Sequence, residues 1–118
     1  GRSLEDADGK VWPMADVLPG DGIRVGRLVR FGYAEMTAKA DSMLFCAGET
    51  LPIHEFHHWD STANGTAFTA CKSAKMQWEC GFATENFYAG FPHFYWAGTP
   101  LPRRFVAAAE CYTKGQQK

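Results

Sequence analysis

Apolar and polar positions along this chain alternate more often than they cycle with a helical period, and alternation predicts strands. Between Arg27 and Ala38, Val29, Phe31 and Tyr33 recur at every second position with Met36 beyond them, which predicts a β-strand. Ser42–Cys46 is a short unbroken apolar run and predicts a buried strand. The histidine-rich stretch Leu51–Ser61 predicts a loop or a bent strand. Asn64-Gly65 then predicts a tight turn feeding a strand over Thr66–Lys72, and Trp78–Ala83 and Asn86–Phe91 predict two more. Residues 1 to 22 predict turns, punctuated by Asp8-Gly9, Pro19-Gly20 and Asp21-Gly22. Only the last segment has a helical period. Thr99 suits an N-cap, Pro100 the first turn, and Leu101, Phe105, Ala108, Ala109 and Tyr112 fall on one face, with Gly115 as the stop. Strands with a single terminal helix are an odd inventory, because a parallel sheet needs crossover helices. The expectation is an unusual α+β domain or a part of something larger.

Composition narrows the function classes. The chain has 118 residues, 46% of them apolar, enough for one domain with a core. Its net charge of −1, with acids and bases mixed, gives no electrostatic footprint for nucleic acid. Arg103-Arg104 reads as a solvated face at the start of the helix. No apolar run reaches the length of a membrane-spanning helix and no secretory leader is visible, so no membrane partner and a cytoplasmic setting are expected. The four cysteines, at 46, 71, 80 and 111, form no C-x-x-C and predict reduced thiols rather than a zinc ribbon or a disulfide framework.

The chemistry concentrates in His54-Glu55-Phe56-His57-His58, which holds three of the four histidines and satisfies H-E-x-x-H. The zinc-protease chemistry of that pattern needs a helix, which alone puts residues i and i+4 on one face. Pro52 upstream and the Trp59–Gly65 loop downstream leave too little room for one. The only other histidine is His93, so a third ligand is not obvious. A metal-binding module on His54, His57 and His58, a surface cluster, and a non-catalytic interaction module remain alternatives, although no metal is expected.

Four segments resemble one family. Leu4–Met14 with Val17-Leu18-Pro19-Gly20, Arg30-Phe31-Gly32-Tyr33-Ala34-Glu35, His54-Glu55-Phe56-His57, and Asn86–His93 running into the terminal helix are similar, in this order, to the C-terminal half of the glutamine amidotransferase domain of cobyrinic acid a,c-diamide synthases. The resemblance implies an α/β fold: a partial flavodoxin-like amidotransferase domain, strand-rich with a C-terminal helix, over residues 1–118. It implies a parent enzyme in which a cysteine releases ammonia from glutamine, a histidine carries the proton, and an ATP- and Mg2+-dependent synthetase domain activates a corrinoid carboxylate.

Carried over residue by residue, the resemblance makes His93 the catalytic histidine and His54, Glu55 and His57 supports of the glutaminase site. Full-triad glutaminases place a glutamate two residues after this histidine; here Tyr95 stands there. Either Glu55 orients His93 across space or the site works as a cysteine–histidine dyad. Ile53 replaces a common glycine, and Tyr95 a common second histidine, which marks a divergent branch. The family's G-x-C-G-G nucleophile elbow is expected upstream of Gly1, leaving no nucleophile here. Glu79-Cys80-Gly81 imitates it, but Phe82 follows and the order is wrong. No G-x-x-x-x-G-K-[ST] phosphate loop is present either, so this chain is expected to bind no cofactor and to be inactive alone. Expected partners are the missing synthetase domain, glutamine and a corrinoid, with a homodimer possible. The alternative substrate is another tetrapyrrole of the nickel-sirohydrochlorin type.

Overall fold

The computed structural model describes residues 1–116. In chain order the elements are β1 (Ser3–Glu5), β2 (Val11–Pro13), β3 (Asp21–Arg24), β4 (Arg30–Ala38), β5 (Thr50–His57), β6 (Trp59–Ser61), β7 (Phe68–Ser73), β8 (Met76–Cys80), β9 (Phe82–Thr84), β10 (Phe87–Ala89) and α1 (Leu101–Gln116). The architecture is strand-rich, mixed α/β, with one C-terminal helix.

The larger sheet runs β5-β4-β7-β8, all antiparallel. Strand alternation splits it into two unlike faces. Met36, Ala38, Ile53, Phe68, Ala70 and Cys80 point inward and are buried. Against them pack Leu44, Phe45 and Leu101, joined by Tyr88, Phe94 and Trp96. Phe45 forms edge contacts with Phe68 at 5.0 Å and Phe94 at 5.6 Å, the geometry that aromatic quadrupoles favour. The opposite face is open, with Phe31, Tyr33 and Phe56 exposed by 61%, 76% and 52%.

A second sheet runs β2-β1-β3-β6, with β1 and β3 parallel and the other pairs antiparallel. The first residues therefore form short strands as well as turns. Their glycines and aspartates do punctuate the chain, but between them Leu4, Trp12 and Ile23 complete ladders. His58 separates β5 from β6, so the histidine-rich stretch is a bent strand serving both sheets.

Three further expectations change. Ser42–Cys46 is a loop, although Leu44 and Phe45 are buried. The Asp41 and Glu49 carboxylates accept the N–H groups of Ala47 and Cys46 at 2.8 Å, which closes a turn in place of a ladder. The strand predicted over Trp78–Ala83 breaks at Gly81, where φ is +76°. An added Cβ there would lie 2.6 Å from the Phe68 ring, so this kink requires glycine.

The third change concerns α1. Thr99 caps it as expected, accepting the Leu101 N–H at 3.3 Å. Gly115 lies inside the helix rather than ending it. Leu101 alone is buried; Phe105, Ala109 and Tyr112 of the predicted face are exposed. The helix is held instead through Arg104, whose guanidinium forks onto Glu49 at 2.6 and 2.7 Å and donates to the Leu44 carbonyl at 2.9 Å.

Candidate functional site

Strand β5 distributes the histidine-rich signature over two faces. Period-two alternation sends Ile53, Glu55 and His57 inward and His54 and Phe56 outward. His54 therefore cannot share a metal ion with His57, and among the described residues no cluster of three metal-binding side chains occurs.

On the inner face Glu55 is 4% exposed and its carboxylate meets His57 Nε2 at 3.1 Å. His57 Nδ1 lies 2.7 Å from the Trp59 carbonyl, so both edges of the imidazole are fixed. Its face stacks on Phe91, with centroids 3.9 Å apart and planes at 7°. The register pairs Arg30 with His57, which brings the Arg30 Nε to 3.9 Å from Glu55. The same guanidinium sits 4.5 Å over the Trp78 ring. A buried carboxylate is tolerated only when paired in this way. Arg30 and Phe91 lie within two of the family-like segments but are given no role by them, and Trp78 lies in none. Their pairing with Glu55 and His57 follows from the cross-strand register and from ring stacking, which no linear motif records.

A cavity of about 40 Å³ opens here, lined by Arg30, Glu55, His57, Trp78, Cys80 and Phe91. Burial, reinforced by the Glu55 charge, pushes the Cys80 thiol up to about 12. The thiolate is the nucleophilic form, so Cys80 is placed as a protonated core group. A larger cleft of about 400 Å³ lies between the second sheet and the chain preceding His93, lined by Leu4, Trp59, Asn64, Phe82 and Phe91 among others.

His93 lies on the other side of β5. It and His54 exchange both backbone hydrogen bonds, at 2.9 and 2.8 Å, as a single antiparallel bridge. Directly opposed residues project to the same face, so His93 shares the open face with His54 and lies across the strand from Glu55. Glu55 is committed to His57, and the expectation that it orients His93 is not met. His93 is exposed rather than packed among the neighbouring aromatics. His54 is held edge-on by Tyr33 at 5.0 Å and Phe31 at 6.2 Å. The structure thus brings His54 and His93 together on one face and Glu55 and His57 on the other.

Sequence comparison supplies the relatives. The chain is 34% identical over 115 residues, 92% of its length, to a cobyrinate a,c-diamide synthase of Salmonella typhimurium. It is 30% identical over 95 residues, 78% of its length, to a cobyrinate a,c-diamide synthase of Caldanaerobacter subterraneus. A hydrogenobyrinate a,c-diamide synthase of Agrobacterium fabrum is 40% identical over 58 residues, 49% of this chain and 13% of the relative. The chain spans 25% and 21% of the length of the first two. No family model and no solved structure matches. By sequence, the chain is similar over most of its length to a part of proteins named cobyrinate a,c-diamide synthase.

Proposed function

We propose that this chain is the C-terminal portion of a glutamine amidotransferase domain, part of a flavodoxin-like fold. The parent would be an ATP-dependent, glutamine-hydrolysing synthase that amidates corrinoid carboxylates in cobalamin biosynthesis. The carrying observation is the 34% identity to a cobyrinate a,c-diamide synthase across 92% of the chain. The site geometry supports the reading, because His93 is exposed while its backbone is pinned to His54.

In this reading a thiol supplied elsewhere in the parent attacks the side-chain amide of glutamine. The His93 imidazole takes the thiol proton, delivers it to the departing ammonia, and then accepts a proton from the water that cleaves the thioester. An imidazole suits both directions because its unperturbed pKa is about 6.5. The buried, protonated Cys80 is unsuited to be that nucleophile. His54 holds the His93 backbone in place, and Glu55 and His57 build the wall behind it. This chain has no phosphate loop for ATP, so nucleotide, Mg2+ and corrinoid fall to the remainder of the parent. A cytoplasmic enzyme is the setting that fits, and no described helix is long and apolar enough to cross a membrane.

The test uses the parent enzyme with cobyrinic acid, ATP, magnesium, and glutamine or free ammonia. His93→Ala is expected to lower glutamine-supported amidation by about 10²–10⁴-fold and to leave ammonia-supported amidation intact. A mutant that uses glutamine as well as the wild type would overturn the role of His93. The match to a hydrogenobyrinate enzyme favours a second substrate, and glutamine hydrolysis without change in cobyrinic acid calls for hydrogenobyrinate in the same assay.

A further inference from the structure

Two separate attachments hold the segment Phe91-Pro92-His93 against β5. One is the backbone bridge from His54 to His93. The other is the stack of His57 on Phe91, two residues earlier. Pro92 between them is buried, and its carbonyl accepts the Tyr88 hydroxyl at 3.3 Å. The stack depends on ring orientation, and that orientation is set by the Glu55 carboxylate at one edge and the Trp59 carbonyl at the other. Glu55 is itself steadied by Arg30, which leans on Trp78. A continuous set of contacts therefore runs from the buried carboxylate, through the imidazole and the Phe91 ring, to the backbone that carries His93.

We propose that His57, oriented by Glu55, is a positioning residue that grips Phe91 and fixes the place of the His93 imidazole from the far side of the strand. It touches no reacting atom. This role rests on the reading of His93 as the proton carrier, but the clamp itself is a property of this chain. Conversion of a proton transfer into an effectively intramolecular step depends on such placement, and a displacement near 1 Å costs on the order of a hundredfold.

Two experiments, read together, test it. In this chain, amide hydrogen exchange at His93 and at His54 is measured for wild type, His57→Ala, Phe91→Leu and Phe91→Tyr. His57→Ala and Phe91→Leu are expected to speed exchange of the His93 amide by about tenfold or more, whereas Phe91→Tyr, which keeps a stacking ring, stays near wild type. In the parent enzyme, Phe91→Leu and Glu55→Ala should lower kcat for glutamine hydrolysis by about tenfold or more while the KM for glutamine and the ammonia-supported rate hold, with Glu55→Gln and Phe91→Tyr restoring most of it. Unchanged exchange at His93 in both His57→Ala and Phe91→Leu overturns the clamp. Equal loss in Phe91→Tyr and Phe91→Leu also overturns it, because stacking would then be irrelevant. Faster exchange alongside a silent His93→Ala parent supports the clamp and sinks the glutaminase reading instead.

Discussion

Individual side chains here are decided by which face of β5 they occupy. Glu55 and His57 are two residues apart and meet at 3.1 Å, while the adjacent His54 belongs to a different environment. The sequence shows the cluster, and only the strand assignment shows that it is two sites. Cys80 makes the same point. Its Glu-Cys-Gly context imitates a nucleophile elbow, yet burial raises the thiol to about 12. Native protein treated with a thiol reagent near pH 8 should label the exposed Cys46 and Cys111 and spare Cys80, read by peptide mass; prompt labelling of Cys80 would refute its placement.

Glu49 is the other informative acid. The Arg104 hydrogen bonds, then the Cys46 N–H, lower its pKa from about 4.5 to about 2. A carboxyl depressed in the folded state adds stability above its unfolded pKa, and that gain fades as pH falls toward the folded value. The pair is partly solvated, which limits it to about 1 kcal/mol even with forked geometry. The stability lost in Arg104→Ala should therefore be largest above pH ~5 and shrink toward pH ~2 in thermal unfolding. A loss independent of pH would mean that the packing of the Arg104 stem matters more than its charge.

At the scale of elements, the sequence shows strands wherever apolar and polar residues alternate. Tyr33 and Phe31 lie outside and Met36 inside β4, as that rhythm requires. It fails where local hydrogen bonds outcompete a ladder, as in Ser42–Cys46, because no periodicity records that Asp41 and Glu49 close a turn. It fails again for α1, where apolar residues suggest a buried face but only Leu101 is buried, Phe105 reaching Trp96 edge-on at 6.0 Å while Arg104 supplies the polar tether. The kink between β8 and β9 carries its own prediction. Gly81→Ala combines a positive φ with a clash on Phe68 and should cost ~2–4 kcal/mol, measured by denaturant unfolding. A change within 0.5 kcal/mol would show that the strand relaxes around the new methyl.

The whole molecule is thin and open. Its extents are 47 × 38 × 22 Å and its radius of gyration is 15.8 Å, against about 13–14 Å for a compact domain of this length. One broad sheet face carries Phe31, Tyr33 and Phe56 in the open, beside His54 and His93. Exposed aromatic residues gathered on one sheet face are the kind of surface that a partner domain can cover. The chain spans about a quarter of its Salmonella relative, and in the proposed reading the rest of the parent covers this face and brings the thiol to His93. Hydroxyl-radical footprinting should then oxidise Phe31, Tyr33 and Phe56 freely in this chain and spare them in the parent. Equal oxidation in both would place the contact elsewhere.

In the proposed reading the parent moves nitrogen from glutamine to a corrinoid acid. The direct measurement supplies the parent with ATP, magnesium, cobyrinic acid and glutamine labelled with heavy nitrogen in its side-chain amide, and weighs the product. Incorporation of one heavy nitrogen for every amide formed is the predicted result. Amidation with unlabelled nitrogen, or glutamine consumed with every tested corrinoid acid unchanged, would overturn that reading.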